Sequence, residues 1–240
     1  MLKKKSYKIL VTGGSGRFGK ILKTIKTKHK LLFPKKNFFN ILKINQMKEY
    51  INVHKPNIII HLAALSRPMK VHDENIIKSI DINIVGTANI TKICKTFNIK
   101  LIYFSTGYVY PKKSGSYKED DAVNPINNYA LSKMGGECSV QMYKNSLILR
   151  ASMTEKPFVH KEAFADVYTN FIYHKKAAQI LMKILEYKGI INLGGKSKTI
   201  YNFVKGNNKI KKIYAKKNKL DVPLNSTMNV DKLNNILSHD

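Results

Sequence analysis

Cysteine is scarce in this sequence, and long apolar runs are absent. The chain has only two cysteines, Cys94 and Cys138, which fall in helix-like segments without the spacing of a metal site. We therefore expect reduced, buried thiols, as is usual in the cytosol. No apolar run approaches the roughly 18 residues that a membrane-spanning helix needs. The basic start at residues 1–5 leads into a strand-like segment and not into a signal peptide. These absences predict a cytoplasmic protein with no membrane partner.

Acidic residues and arginine are also few. The chain has 43 Lys and Arg residues against 15 Asp and Glu residues, a formal net charge of +28 at pH 7. Only three of the basic residues are arginine, and the lysines are spread along the whole chain. Abundant lysine, asparagine and isoleucine are what an AT-rich coding sequence supplies. We therefore expect non-specific attraction to polyanions as a side effect, and no dedicated nucleic-acid binding.

Short apolar segments alternate with helical patterns along the first 150 residues. This alternation predicts parallel βαβ units, and continuous apolar strands predict a sheet covered on both faces. The sequence therefore indicates an α/β fold, a Rossmann-type doubly wound parallel sheet. Residues 1–150 would form the dinucleotide-binding domain, and residues 151–240 a small C-terminal substrate lobe that is partly interleaved with it.

The expected elements follow from the same patterns. Strands are expected at residues 7–12, 29–33, 57–62, 99–105, 146–149 and 189–193. Helices are expected from the glycines to about residue 28, at 46–54, 73–97 and 128–143, within 164–187, and at 230–237. The polar stretch 112–125 is expected to form a loop.

A glycine-rich turn, Gly13-Gly14-Ser15-Gly16-Arg17-Phe18-Gly19, lies between the first strand and the first helix. Glycine permits a sharp turn and a close approach of the backbone to a pyrophosphate. The amides at the start of the following helix favour negative charge. The position after a strand and before a helix is the one that the dinucleotide fingerprint requires.

The residues after the second strand bear on which nicotinamide cofactor binds. An NAD site has an acidic residue about 20 positions past the glycines, whereas here no acid occurs before Glu49. Lys35, Lys36 and Arg17 could instead contact a 2′-phosphate, although lysine is frequent throughout this chain. We therefore favour NADP(H), with NAD(H) as the other possibility.

Tyr129 and Lys133 are four residues apart and so share one face of a predicted helix. A tyrosine with a pKa of about 10 is a poor acid near neutral pH, and a nearby ammonium group would lower that pKa. The tyrosine could then exchange a proton with a carbonyl oxygen while hydride moves to the carbon. The hydroxyl of Thr106 or Ser105, at the end of a strand, could bind the same oxygen.

Several motifs together resemble the extended short-chain dehydrogenases/reductases. They are Gly13-x-x-Gly16-x-x-Gly19, His61-Leu-Ala-Ala64, Asn83-Ile-Val-Gly86-Thr87, Phe104-Ser-Thr-Gly-Tyr-Val-Tyr110 and Tyr129-x-x-x-Lys133. Within that group the chain is most similar to the dTDP-4-dehydrorhamnose reductase branch. The similarity is specific over residues 7–150 and looser beyond them.

The resemblance implies a role for each motif. Tyr129 would donate a proton to the keto oxygen of a nucleotide-linked 4-keto-6-deoxy sugar, Lys133 would hold the nicotinamide ribose, and Thr106 would bind the reacting oxygen. Asn83 would support the active-site helix. A homodimer is possible. The residues expected to bind the cofactor are Gly13, Ser15, Gly16, Arg17, Phe18, Gly19, Lys35, Leu62, Ala63, Ala64, Asn83 and Lys133, and those expected to bind substrate are Ser105, Thr106 and Tyr129.

Two departures from the family pattern keep other functions open. Gly107 stands where the rhamnose reductases usually carry an acid, and only about 90 residues follow Ala151. The first alternative is an NAD-dependent epimerase or dehydratase of a nucleotide sugar. The second is a non-catalytic, cofactor-binding regulatory subunit such as that of methionine adenosyltransferase, which has this fold.

Overall fold

The computed structural model describes residues 5–111, 114–206, 210–217 and 223–239. Its strands are β1 (Lys8–Thr12), β2 (Lys30–Leu32), β3 (Ile58–His61), β4 (Lys100–Thr106), β5 (Ser146–Ala151), β6 (Met153–Thr154), β7 (Glu162–Phe164), β8 (Tyr168–Thr169), β9 (Ile172–Tyr173), β10 (Gly189–Leu193), β11 (Lys198–Thr199) and β12 (Lys211–Ile213). Its helices are α1 (Arg17–Leu22), α2 (Ile44–His54), α3 (Val71–Glu74), α4 (Ile76–Ser79), α5 (Gly86–Thr96), α6 (Asn128–Gln141), α7 (His174–Lys183), α8 (Ile200–Val204) and α9 (Asp231–Ser238). A π-helix spans Ile80–Val85 and a 3₁₀ turn spans Gly107–Val109.

Six strands form one parallel sheet in the order β10-β5-β4-β3-β1-β2. Strands β2 and β3 lie on opposite sides of β1, so the order of the strands reverses there. In doubly wound sheets a ligand binds at the carboxyl ends of the strands beside such a reversal. The expected doubly wound parallel sheet is confirmed, and its crevice lies after β1.

The apolar core has two halves, one on each face of the sheet. Because neighbouring residues of a strand point to opposite faces, Ile9 and Val11 of β1 lie in one half and Leu10 lies in the other. Helices α1, α7 and α9 cover the first face, and α2, α5 and α6 cover the second. Both faces are therefore buried, which explains why the strands are continuously apolar.

The last 50 residues return to the sheet and to the edge of the crevice. Strand β10 pairs with β5 as the outermost strand of the sheet. A later extended stretch, residues 225–229, runs between the loop at Tyr117 and strand β8, with backbone bridges from Tyr117 to Met228 and from Tyr168 to Asn225. Residues from the expected substrate lobe thus complete the sheet.

Three expected helices have different bounds in the structure. Helix α1 ends at Leu22 and does not reach residue 28, because Leu22 is its last fully buried side chain and the β-branched residues Thr24, Ile25 and Thr27 that follow are poor helix formers. Within 164–187 the helix starts only at His174, after the short strands β8 and β9.

The long helix expected at 73–97 is interrupted twice. Asn75 has a non-helical backbone, with φ −139° and ψ 73°, and its side chain caps the start of α4 by accepting from the Lys78 amide. The π-helix then adds a wider turn before α5. Wide turns of this kind often mark functional sites, and this one carries Asn83.

Two expectations from composition concerned the burial of the two cysteines and the lack of a membrane-spanning helix. Cys94 is buried, as expected, but Cys138 is exposed on α6, where the helix faces solvent. Among the described residues, no helix is long and apolar enough to cross a bilayer.

Candidate active site

The glycine-rich turn packs directly against the end of β3. Gly13 has a φ of +69°, and a Cβ atom there would lie 2.6 Å from the Ala63 nitrogen. A Cβ atom on Gly19 would lie 2.6 Å from the Gly13 oxygen. Neither position tolerates a side chain, whereas Ser15 and Gly16 are exposed at the carboxyl edge of the sheet. The turn and the residues after β3 therefore fit the pyrophosphate of a dinucleotide.

Two residues of the turn have side chains that are engaged elsewhere. Phe18 is buried, and its ring lies 5.0 Å from the Phe104 ring and 5.6 Å from that of His174. Its side chain therefore belongs to the core, so its expected contact with the cofactor, which stays a prediction, would be made by the backbone.

The second of these residues is Arg17. Its Nε lies 3.1 Å from Glu155 and its guanidinium donates to Ser66 after β3. Arg17 therefore lies on the β3 side of β1, whereas Lys35 is exposed after β2, on the other side of β1. The two do not meet as the two contacts of one 2′-phosphate.

Tyr129 and Thr106 meet at the carboxyl end of β4. The Thr106 hydroxyl lies close enough to Tyr129 to lower the pKa of its phenol, as do the charges of Arg67 and Arg17. Burial outweighs these effects and raises the Tyr129 pKa to about 12. The phenol is therefore protonated across the neutral range in the absence of a ligand.

Lys133 lies one turn further along α6 and is buried, with its Nζ 4.1 Å from the centre of the Tyr103 ring. Burial lowers its pKa to about 7, against the opposing charge of Glu137. We expected Lys133 to lower the pKa of Tyr129, but the groups that do so here are Thr106, Arg67 and Arg17. The Lys133 Nζ lies over the Tyr103 ring, and burial disfavours its charged form.

Ser105 points into a separate buried network. Its hydroxyl donates to Glu137 Oε2 at 2.5 Å, and Glu137 also accepts from the Arg150 guanidinium at 2.8 Å. Glu137 is eight residues beyond Tyr129 on α6, which is about 12 Å along the helix. The Ser105 side chain therefore links β4 to α6, and its expected contact with substrate stays a prediction.

Asn83 supports the site and does not line it. Its side chain is fully buried; it accepts from the Leu65 amide at 2.8 Å and donates to the Leu65 carbonyl at 2.9 Å. It also donates to Ser132 Oγ at 2.8 Å, and Ser132 donates to the Tyr129 carbonyl. Asn83 thus links the loop after β3 to α6, and its expected place among the cofactor-binding residues stays a prediction.

His61 links the end of β1 to the segment that carries Asn83 through buried hydrogen bonds. Thr12 Oγ1 accepts from the amides of Leu62 and Ala63 and lies 2.8 Å from His61 Nδ1. His61 Nε2 lies 3.1 Å from Thr87 Oγ1, which donates to the Asn83 carbonyl. Because the Thr87 proton goes to Asn83, His61 Nε2 carries a proton, and Nδ1 accepts from Thr12.

Gly107 follows Thr106 in a buried 3₁₀ turn, and Met228 fills the space beside it. A Cβ atom on Gly107 would lie 3.0 Å from Met228 Sδ. Met228 belongs to a small apolar cluster with Val109, Tyr110 and Tyr117. Any longer side chain at position 107 would require Met228 to move, so the residues near the end of the chain occupy the place of the acid that the family usually carries there.

Glu155, Glu137 and Met228 were missed by the sequence interpretation. Glu137 is four residues beyond Lys133 on the same face of α6, so extending the four-residue spacing along the helix would have found it. Glu155 and Met228 reach the site through tertiary contacts alone, so no local pattern marks them.

The fold and these residues define a class of protein. The chain combines a doubly wound parallel sheet, a glycine-rich turn after its first strand, and Tyr129 and Lys133 on one face of α6, which is the arrangement of an extended short-chain dehydrogenase/reductase. More particularly, it belongs to the family described as RmlD substrate binding domain, which matches residues 7–180.

Similar proteins fall in two groups. Methionine adenosyltransferase 2 subunit beta of Xenopus laevis is 31% identical over 155 residues, which cover 60% of this chain and 46% of that protein. The dTDP-4-dehydrorhamnose reductase of Aggregatibacter actinomycetemcomitans is 28% identical over 152 residues, covering 61% and 51%. The chain thus spans about half the length of these curated relatives.

Solved structures share the fold over nearly the whole chain. The dTDP-4-dehydrorhamnose reductase of Bacillus anthracis in complex with NADP has a TM-score of 0.84 at 21% identity, covering 96% of this chain and 92% of that one. The Bordetella bronchiseptica enzyme WbmG in complex with NAD has a TM-score of 0.75 at 16% identity, covering 99% and 90%.

His61 should make the stability of the protein depend on pH. Burial, with a smaller effect from Lys133, lowers its pKa from 6.5 to about 3, so the unfolded chain binds a proton that the folded chain excludes. The stability that this neutral histidine allows is full above pH 6.5 and is lost as the pH falls towards 3. Between pH 7 and pH 5 the loss should be about 2 kcal/mol, measured by urea unfolding.

The comparison variant is His61→Asn, which can still accept from Thr12 but does not titrate. It should be less stable than wild type at pH 7 yet lose less stability on moving to pH 5. His160→Asn, at an exposed histidine, serves as the matched control and should follow wild type. Equal losses in wild type and His61→Asn would refute the argument.

Proposed function

We propose that this chain is an NAD(P)H-dependent reductase of a nucleotide-linked 4-keto-6-deoxy sugar, in which Tyr129 is the proton donor. The proximity of the Thr106 hydroxyl, at the carboxyl end of β4, to the Tyr129 phenol at the start of α6 is the observation that carries the proposal. It supplies two hydrogen-bonding groups for one carbonyl oxygen at the edge where the glycine-rich turn also lies. The similarity to dTDP-4-dehydrorhamnose reductases supports this class of reaction.

The proton chemistry follows from the electrostatics of the site. Tyr129 is a protonated phenol at neutral pH, so it is ready to give a proton to the sugar oxygen. The phenolate left behind is favoured by the charges of Arg67 and Arg17, both of which lower the Tyr129 pKa. A bound nicotinamide supplies the hydride to the carbonyl carbon. Lys133, buried one helical turn beyond Tyr129, would hold the nicotinamide ribose and return toward its charged form there.

Substrate selection would depart from that of the rhamnose reductases. Gly107 offers no side chain to the sugar, and Met228 covers it with an apolar surface. A sugar hydroxyl that an acid would bind has no such partner at this position. We therefore propose a substrate with a less polar group facing Gly107, and a nucleotide sugar epimerase or dehydratase stays as the other enzyme class.

A regulatory role is the second candidate, and two observations favour it. Subunit beta of methionine adenosyltransferase 2 is among the similar curated proteins, and Gly107 lacks the family acid. In that case the glycine-rich turn would still bind the cofactor, and Tyr129 would not need to transfer a proton.

We propose NADP(H) as the preferred cofactor. Lys35 and Lys36 are both exposed in the loop after β2, where an adenosine 2′-phosphate would lie next to the glycine-rich turn. Lys36 also lines a cavity of about 450 Å³ with Asn37, Asn40, Lys43 and Gln46. NAD(H) stays the other possibility, since similar folds bind either cofactor.

The division of the chain and its assembly are also proposals. Residues 1–150 would hold the cofactor and most of 151–240 the sugar nucleotide, in the cytoplasm. A homodimer would form on an apolar strip made by α4, the π-helix and α6 with its C-cap residue Met142. Ile84 contacts Gly135 where the two helices meet, and the exposed members of the strip are Ile77, Ile80, Leu131 and Met142.

Tyr129→Phe removes only the hydroxyl, so folding and cofactor binding should survive. Turnover should fall by about two orders of magnitude or more, because a general acid is lost. The measurement is NADPH oxidation with a panel of nucleotide-linked 4-keto sugars. Tyr187→Phe, at a partly exposed tyrosine, is the matched control. Wild-type turnover by Tyr129→Phe would refute the catalytic assignment, and no reduction of any sugar by wild type would favour the regulatory role.

Joint replacement of Lys35 and Lys36 by alanine should weaken NADPH binding roughly tenfold, about 1.4 kcal/mol, because two cations near the 2′-phosphate are lost. NADH binding should change little. Fluorescence titration of both cofactors measures this. Lys216→Ala with Lys217→Ala, an exposed pair in the C-terminal part, controls for net charge. Equal weakening of both cofactors, or tighter binding of NADH by wild type, would contradict the NADP(H) assignment.

The apolar strip should hold two chains together in solution. Light scattering should give twice the mass of one chain for wild type. Ile77→Glu with Met142→Glu should give the monomer, because charge is then buried in the interface. Val53→Glu, at an equally exposed residue on α2, should stay dimeric. A monomeric wild type at high concentration would rule this interface out.

A further inference from the structure

His72 packs against the proposed proton donor. It lies on α3 with 1% of its surface exposed, and its ring centre is 5.1 Å from that of Tyr129 at an angle of 54°. The neighbouring Asp73 accepts from Asn128 Nδ2 at 2.7 Å. Consecutive residues of α3 therefore contact consecutive residues at the start of α6, so α3 determines where the phenol stands.

One nitrogen of His72 is paired and the other is not. Nδ1 lies 2.7 Å from Ser79 Oγ, whereas Nε2 is buried without a hydrogen-bond partner among the described residues. An unpaired buried polar group costs about 1–3 kcal/mol, and in native structures it calls for an explanation. Phenylalanine would fill a similar volume without that cost. The ring that carries this unpaired nitrogen packs against Tyr129, which indicates a functional reason for a histidine at position 72.

With the unpaired Nε2 taken as the edge of His72 that faces Tyr129, the ring contact determines which nitrogen carries the proton. Burial lowers the pKa of His72, against the opposing charge of Asp73, so the ring is neutral at pH 7. The face of an aromatic ring is negative, so a bare nitrogen lone pair against it would be repelled, whereas an N–H would be attracted. This favours the form in which the Ser79 hydroxyl donates to Nδ1 and Nε2 carries the hydrogen.

We propose that His72 is a positioning residue that holds its Nε2–H against the ring of Tyr129 and thereby steadies the phenolate left after proton transfer. A phenolate ring is more negative than a phenol ring, so the N–H is attracted more strongly to it. The role rests on the proposed reaction, but the contact itself does not.

Other charged and titratable groups also face Tyr129. Tyr108 raises its pKa, and Arg67 and Arg17 lower it. Lys133 follows on the same helix. His72 therefore adds to a field set mainly by these groups, and its effect should be modest compared with loss of the phenol itself.

His72→Phe keeps an aromatic ring and removes both nitrogens. We expect kcat to fall about fivefold to tenfold, with the KM values for sugar and cofactor within about twofold and a melting temperature equal to or above that of wild type. His72→Gln can place an N–H near the position of Nε2 and should recover part of kcat. Ser79→Ala should lower kcat in the same direction, because it frees the imidazole to turn.

A second measurement does not depend on turnover. In protein labelled with 3-fluorotyrosine, whose phenol ionises at lower pH than that of tyrosine, the ¹⁹F signal of Tyr129 is identified by its loss in Tyr129→Phe. The proposal expects this signal to titrate at higher pH in His72→Phe than in wild type. Val71→Ala, at the preceding residue of α3, is the control and should leave the titration in place.

The outcomes separate the proposal from a packing role and from the proposed reaction. A melting temperature that falls in step with kcat in His72→Phe would overturn the inference, as would an unchanged Tyr129 titration. If wild type reduces no sugar but the titration shifts as expected, the reaction is wrong and the contact of His72 with Tyr129 stands.

Discussion

A continuous series of hydrogen bonds joins the end of β1, where the glycine-rich turn begins, to Tyr129 on α6. It runs from Thr12 at the end of β1 through His61 and Thr87 to the Asn83 carbonyl, and from the Asn83 side chain through Ser132 to the carbonyl of Tyr129. The Thr12 and Thr87 hydroxyls each have one proton to donate, so His61 accepts through Nδ1 and donates through Nε2, which requires a neutral ring. Because this series of hydrogen bonds is continuous, it fixes the relative positions of the glycine-rich turn, the loop after β3 and α6.

A second buried network is centred on Glu137, further along α6 from Tyr129. Arg150 and Glu137 form an ion pair between β5 and α6, and Ser105 and Tyr110 complete their hydrogen bonds. Buried charges of this kind cost free energy to desolvate, and each is tolerable only while the other is present. Glu137 also raises the pKa of Lys133, against burial. The pair therefore fixes α6 and keeps Lys133 close to the boundary between its charged and neutral forms.

The sequence predicted what depends on local pattern. Continuous apolar runs located the strands, the glycines located the turn after β1, and the four-residue spacing placed Tyr129 and Lys133 on one helix face. It could not predict the breaks at Asn75 and the π-helix, because apolar spacing continues through them and the wide turn exists to bring Asn83 to Leu65 and Ser132. Nor could it show that Ser105 and Thr106, adjacent on β4, point to opposite faces and serve different networks, or that Glu155 meets Arg17.

The position of Met228 beside Gly107 affects the order in which the protein folds during synthesis. The stretch that carries Met228 is held by contacts 111 residues apart in sequence, between Ser116 and Thr227 and between Ser114 and Asn225. Contacts of such long range form late, because a large loop must close before they contribute. On the ribosome the sheet strands β1 to β5 can assemble from the first 151 residues. The wall of the crevice beside Gly107 is finished only after residue 228 has emerged.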